Sequence, residues 1–223
     1  DWEDLGDSQA FAIGGPKLDP VQWDHGTFPH LVAIGQAGSG VTTALRALMQ
    51  SVAQSQSHTG EPPEFLVTDT RRGLLGVAGY RVPEDFRKDL AEWTTTLRAR
   101  IPGSDVTPQQ LRERTWWSGP ELFIIVDDAD ADPGLDQLIP LLPYAADIGL
   151  HLVLGRRSGQ FARAAYQPLM QSIRDQSAWL LFSAPREDGP IAGVRLLRRP
   201  QGRAAYVHSE TWEVQVAEIA DEN

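Results

Sequence analysis

The sequence contains no cysteine, which excludes disulfides, a thiolate nucleophile and cysteine-ligated zinc. It has no uninterrupted apolar run near the roughly 18 residues that a membrane-spanning helix requires. The opening Asp1-Trp2-Glu3-Asp4 lacks every feature of a signal peptide and has no initiator Met, so the chain is expected to be cut from a longer one. Positive charge is scarce: 20 Lys and Arg against 30 Asp and Glu leave a formal net charge of −10. A nucleic-acid module needs a basic excess or a clustered basic face. The Arg71-Arg72, Arg156-Arg157 and Arg198-Arg199 pairs read instead as solvated or ion-paired, and no nucleic-acid partner is expected. The five histidines (His25, His30, His58, His151 and His208) show no metal-ligand spacing, and no zinc site is expected from them.

What is present is an alternation of short apolar runs with helical patterns, the signature of βαβ units and a central, mostly parallel sheet flanked by helices. Strands are read at His30–Ile34, Glu64–Thr68, Leu122–Val126 and His151–Leu154, with late strands at Trp179–Phe182, Ala204–Val207 and Trp212–Ile219. The last two form an antiparallel hairpin turning near Ser209-Glu210. Helices are expected over Val41–Gln56, Glu84–Arg100, a short segment opened by Thr107-Pro108, Leu135–Ala146 broken by Pro140 and Pro143, and Gln160–Arg174 broken at Pro168. A chain of 223 residues suits one α/β domain over 1–223. Asp1 to Phe28 reads as an irregular lead-in. Trp116-Trp117, just before Gly119-Pro120, is expected to anchor a core or subunit contact.

Gly35-Gln36-Ala37-Gly38-Ser39-Gly40-Val41-Thr42 matches the phosphate-loop pattern G-x-x-x-x-G-K-[ST] at every fixed position except the lysine. The context fits, because the segment follows a buried strand and opens a helix. Glycines let successive backbone N–H groups turn inward around a phosphate, and the helix N-terminus behind them favours negative charge. Thr42 is the expected Mg²⁺ ligand and Thr43 a contact to the α-phosphate region of ATP. Val41 removes the ammonium that reaches the outer phosphates. One hydrogen bond to a charged group is worth roughly 1.5–3 kcal/mol, so nucleotide binding is expected to weaken about 10- to 100-fold. Hydrolysis should suffer further, since phosphoryl transfer relies on positioning and electrostatics. The bland alternative is a glycine turn that merely leads into a helix.

The apolar strand ending in Asp127-Asp128 reads as a Walker B strand, with Asp127 holding Mg²⁺ through water. Asp128 stands where a catalytic carboxylate, usually Glu, polarises the attacking water. It is one methylene shorter, and a misplacement of about 1 Å can cost on the order of a hundredfold in rate. The alternative is an Asp-rich turn, since Asp130 and Asp132 follow; the run lacks the glycine and terminal glutamate of an EF-hand. Arg156, after the next strand, is a candidate phosphate sensor or a structural ion-pair residue.

A series of stretches then resembles one family in the right order along almost the whole chain. These are Pro29-His30-Leu31, the phosphate loop with Thr42-Thr43-Ala44-Leu45-Arg46, Asp69-Thr70-Arg71-Arg72, Arg100-Ile101-Pro102, and Thr107-Pro108-Gln109-Gln110-Leu111-Arg112. There follow Arg114-Thr115-Trp116-Trp117-Ser118-Gly119-Pro120, Val126-Asp127-Asp128, Asp147-Ile148-Gly149-Leu150-His151, Arg156-Arg157-Ser158-Gly159 and Glu187-Asp188-Gly189-Pro190. The series resembles the third, C-terminal FtsK/SpoIIIE-type ATPase domain of the EccC family, the motors of mycobacterial type VII (ESX) secretion. The resemblance implies a RecA-like P-loop NTPase fold of the ASCE type, with ATP and Mg²⁺ as cofactors. It also implies a place at the cytoplasmic face of the plasma membrane within a membrane-anchored chain. Implied partners are the C-terminal signal of Esx/WXG-type secreted substrates, the other ATPase domains of the chain and the ESX membrane complex. Val41 and Asp128 depart from a working ATPase site. The expectation is therefore a degenerate ATPase domain serving substrate recognition and motor assembly, with weak or absent hydrolysis. The alternatives are an ATP-hydrolysing motor domain and, against the acidic charge, a DNA translocase.

Overall fold

The computed structural model describes residues 3–219 apart from 8, 56–59, 131–132, 160 and 186–188. Asp1, Trp2, Gln56, His58, Asp132, Gln160, Glu187 and Asp188, each used in the sequence reading, lie outside the described residues. The chain runs β1 (Ala10–Gly14), β2 (Asp19–Gln22), β3 (His30–Gly35), α1 (Val41–Gln54), β4 (Glu64–Asp69), α2 (Phe86–Ala99), α3 (Pro108–Glu113) and β5 (Leu122–Asp127). It continues with α4 (Ala145–Ile148), β6 (Leu150–Arg157), α5 (Phe161–Ala164), α6 (Pro168–Ile173), β7 (Ser177–Leu181), β8 (Pro190–Ile191), β9 (Val194–Arg195), β10 (Arg203–Val207) and β11 (Thr211–Val216).

One nine-stranded sheet has the order β2-β1-β11-β10-β7-β3-β6-β5-β4. Strands β7, β3, β6, β5 and β4 are parallel to their neighbours within that run, as the βαβ pattern requires. β10 and β11 form the expected hairpin, antiparallel to each other and to β7. The lead-in departs from its irregular reading: β1 and β2 extend the antiparallel edge by pairing with β11 and with each other. Pro20 sits in β2, the edge strand, where a residue that donates no ladder hydrogen bond is tolerated.

Strands β3, β5, β6 and β7 are buried on both faces, and alternation along the parallel strands divides the core. Val32, Ile34, Ile124, Val126, Leu152 and Leu154 face one layer with Leu90 and Leu97 of α2. Leu31, Ala33, Phe123, Ile125 and Val153 face the other, against Leu45, Leu48 and Val52 of α1. The Leu135–Ala146 segment is not an α-helix interrupted twice. It winds as a 3-10 helix over Leu135–Tyr144, containing Pro140 and Pro143, before α4 begins. Each proline removes an N–H donor and its ring clashes with the α-helical carbonyl behind it. Thr107 caps α3 as read, in a complete capping box with Gln110. Pro168 begins α6 after a break from α5. The consequence for function is that the C-terminal ends of four parallel strands meet on one sheet edge. Gly35 pairs with Arg157 and Asp69 with Asp127 there, where ligands of open α/β sheets bind.

Candidate phosphate-binding site

Gly35 closes β3 and the chain turns through Gly38 at φ 74° and Gly40 at φ 113° before entering α1. Gly40 is required twice over. Its φ lies in the left-handed region, and a Cβ there would come 2.9 Å from the Gly202 backbone nitrogen. The Gly202 N–H donates to the Ser39 carbonyl at 2.9 Å, so the turn before β10 braces the loop from behind. No side chain caps α1, and its first turn carries no acidic residue. The orphan N–H groups of that turn and the positive end of its dipole are therefore offered to an anion.

An open cleft of about 190 Å³ lies over this turn. Of the residues read as nucleotide-binding, Gly35, Gln36, Ala37, Gly38, Gly40, Val41, Thr42 and Thr43 line it, joined by Asp127, Asp128 and Arg156. Ser39 does not; it is buried with its hydroxyl unpartnered. Gln201, Gly155, Arg71 and Arg157 also line the cleft. The two arginines had stood out in sequence as members of basic pairs and of the stretches that carry the resemblance, neither of which assigned them to a site.

The Thr42 hydroxyl donates to Asp127 Oδ2 at 3.0 Å, which joins the loop to the end of β5. Burial pushes the Asp127 carboxyl above the ordinary carboxylate range. The Thr42 hydrogen bond opposes that rise, while the negative Asp69 and Asp128 add to it. Asp69 accepts from the Leu74 N–H at 2.8 Å through Oδ2, but its Oδ1 is buried without a hydrogen-bond partner. A hydroxyl, a desolvated carboxylate and two further acidic groups make an all-oxygen donor set suited to Mg²⁺, and the residues present fit that ion.

Asp128 adopts φ 67°, a left-handed conformation uncommon outside glycine and asparagine or aspartate. Its Oδ2 accepts from Arg157 Nη2 at 3.1 Å and lies 3.6 Å from Arg71 Nη2. Arg156 is buried and pairs with Asp130 at 3.1 Å, with Gln167 Oε1 3.4 Å away. Its contacts match the structural ion-pair alternative, although it still borders the cleft. Val41 packs its methyls over the strand ends: one would lie 3.1 Å from a Cβ on Gly35 and the other 3.1 Å from a Cβ on Gly155. The side chain packs, half-buried, against the apolar core beneath the loop.

No protein-family profile matches the chain. It is 36% identical over 219 residues to the ESX-4 secretion system protein EccC4 of Mycobacterium tuberculosis, covering 92% of this chain and 18% of that protein. It is also 36% identical over 208 residues to the ESX secretion system protein EccC of Thermomonospora curvata, covering 87% of this chain and 16% of the relative. The chain thus spans less than a fifth of the length of these curated relatives. Among solved structures it is similar to ATPases 2 and 3 of Thermomonospora curvata EccC in complex with a signal sequence peptide. The TM-score is 0.84 at 32% identity, over 96% of this chain and 41% of that one.

Proposed function

Because the chain belongs to the EccC family of ESX secretion ATPases, we propose that it is the third ATPase domain of such a motor, retained for recognising secreted substrates and assembling the motor rather than for turning over ATP. The observation that carries this reading is the fate of the two cationic positions. Val41 fills the lysine site with an uncharged, half-buried side chain that packs against the core while bordering the cleft, and the two exposed arginines of the cleft face Asp128. A phosphate would have to draw them off that carboxylate. The Thr42–Asp127 hydrogen bond sets a hydroxyl beside a carboxylate, the pair a Mg²⁺ ion would need, in a cleft that lacks the lysine cation of a working phosphate loop. Bound there, Mg²⁺ would neutralise phosphate charge. Thr42 and Asp127 would hold it, the loop amides would orient the phosphates, and Asp128, tied to Arg157, is poorly placed to polarise water.

The relative solved with a signal sequence peptide supports a C-terminal Esx/WXG-type signal as the recognised ligand. The other ATPase domains and the ESX membrane complex are then the assembly partners, at the cytoplasmic face of the plasma membrane. No helix among the described residues is long and apolar enough to cross a membrane. Calorimetric titration with a synthetic C-terminal signal peptide, with and without ATP, tests the reading: micromolar binding is expected, and no heat in either condition removes it. The second reading, a hydrolysing motor domain, is favoured by the intact Thr42–Asp127 pair. Phosphate release above background, stimulated by that peptide, would establish it in place of the first.

A further inference from the structure

At the sheet edge opposite the phosphate loop, three residues that share no sequence spacing converge. Glu121 immediately precedes β5, His151 is the second residue of β6, and His25 stands between β2 and β3. His25 Nε2 lies 3.7 Å and His151 Nε2 3.6 Å from the same carboxylate oxygen, Glu121 Oε2. One ligand atom from each residue falls within 4.8 Å of the other two. The geometry points to a binding site for one zinc-type divalent transition-metal ion, held by His25, Glu121 and His151.

The distances are the first support. Both exceed the roughly 2.7–3.2 Å of an N–H···O hydrogen bond. They approach the separation of about 3.3 Å between ligand atoms placed tetrahedrally around zinc at ~2.0–2.1 Å. The tautomer of His151 is the second. Its Nδ1 is 3.1 Å from the Pro29 carbonyl oxygen, which only accepts, so Nδ1 carries a proton and, in the neutral ring, Nε2 is the atom left with a lone pair on the carboxylate side. A histidine fixed by a backbone carbonyl through its other ring nitrogen is the usual arrangement behind a metal-ligating imidazole. That Nε2 is fully buried and has no hydrogen-bond partner, a cost of about 1–3 kcal/mol for a polar atom that a cation would remove.

The walls are dry and rigid. Phe123 stacks on the His151 ring at 4.3 Å and Trp23 meets it edge-on at 6.2 Å. His25 packs edge-on against His151 at 5.0 Å. The His25 side chain is 24% exposed against 0% for His151 and 4% for Glu121, which makes it the solvent side, where water would complete a four-coordinate shell. The Arg100 guanidinium is coupled electrostatically to Glu121. It donates to the Ile148 and Pro120 carbonyls. Two imidazoles and one carboxylate select zinc-type ions over Mg²⁺ and Ca²⁺, so the two sheet edges would take different metals. Bound here, the ion would pin the segment before β3 to the starts of β5 and β6.

The test uses tag-free protein dialysed against chelator and titrated with Co²⁺. The expected result is one Co²⁺ per chain with the visible absorption of a four-coordinate N/O site, displaced by Zn²⁺. It should be lost in His25→Ala, which sits at the exposed side and leaves β5 and β6 intact, and kept in Asp127→Ala. No absorption at stoichiometric Co²⁺, absorption unchanged in His25→Ala, or loss in Asp127→Ala instead would each overturn the proposal.

Discussion

The two edges of the parallel strands are built from the same elements and differ in almost every physical respect. At the C-terminal edge, glycines, hydroxyls, carboxylates and arginines surround an open cleft, and charge is balanced by pairs such as Arg157–Asp128 with partly exposed partners. At the N-terminal edge, His30, Glu121 and His151 are buried, with Trp23 and Phe123 against the His151 ring. The open edge tolerates exchange of its charges because water screens them. The closed edge cannot, because each buried polar atom there must find a partner in the protein or in a bound ion.

Removing the ring that seals the closed edge should have the largest effect. Phe123→Ala is expected to cost about 3–5 kcal/mol in denaturant unfolding, as for other fully buried aromatics. A loss below about 1 kcal/mol would show that this edge is not a packed core. Acid titration separates the edges by sign. Burial holds His25 down to about 4 and His30 to about 3, from an ordinary 6.5. In the metal-free protein the unfolded chain therefore binds more protons below pH 6.5. The histidine contribution, full above that pH, is lost as pH falls toward 3. Asp127 is shifted the other way for a carboxylate, upward, so its contribution rises on acidification. Asp127→Asn is accordingly expected to steepen the acid loss in thermal melts, and a shallower loss would contradict that sign.

Val41→Lys should leave the closed edge untouched and tighten ATP binding about 10- to 100-fold, one regained charged hydrogen bond. Equal affinities in calorimetry would mean that Arg71 or Arg157 already supplies the missing charge. The smallest effect is expected from Arg157→Ala. Its side chain is 42% exposed, and such pairs are worth about 1 kcal/mol or less, so the unfolding midpoint should scarcely move.

The open edge was largely legible because its chemistry is contiguous. The loop from Gly35 to Thr43 lies within one strand-to-helix turn, and Asp127-Asp128 ends an unmistakably apolar strand. Thr107 and Pro108 announced a helix start that the structure forms with both capping hydrogen bonds. Other signals were masked. β1 is an Ala- and Gly-containing strand and β2 contains Pro20; both depend on pairing with β11 and with each other rather than on intrinsic propensity. Pro140 and Pro143 read as breaks, yet the leucines around them are buried, and packing holds the segment in a tighter helix.

Sequence alone determined the succession of the parallel strands and the helices between them, the phosphate-loop pattern and the absence of its lysine, because periodicity, glycine spacing and side-chain chemistry are local properties. Tertiary structure decided the partners. It packed Val41 against the core at the cleft floor, tied Arg156 to Asp130 and set Arg71 and Arg157 on Asp128. It also gathered His25, Glu121 and His151 at one point, although no spacing in the chain suggested a ligand set. The physical reason is that parallel strands in register bring equivalent ends together however long the connections between them. A site on such an edge is written across the sheet rather than along the chain.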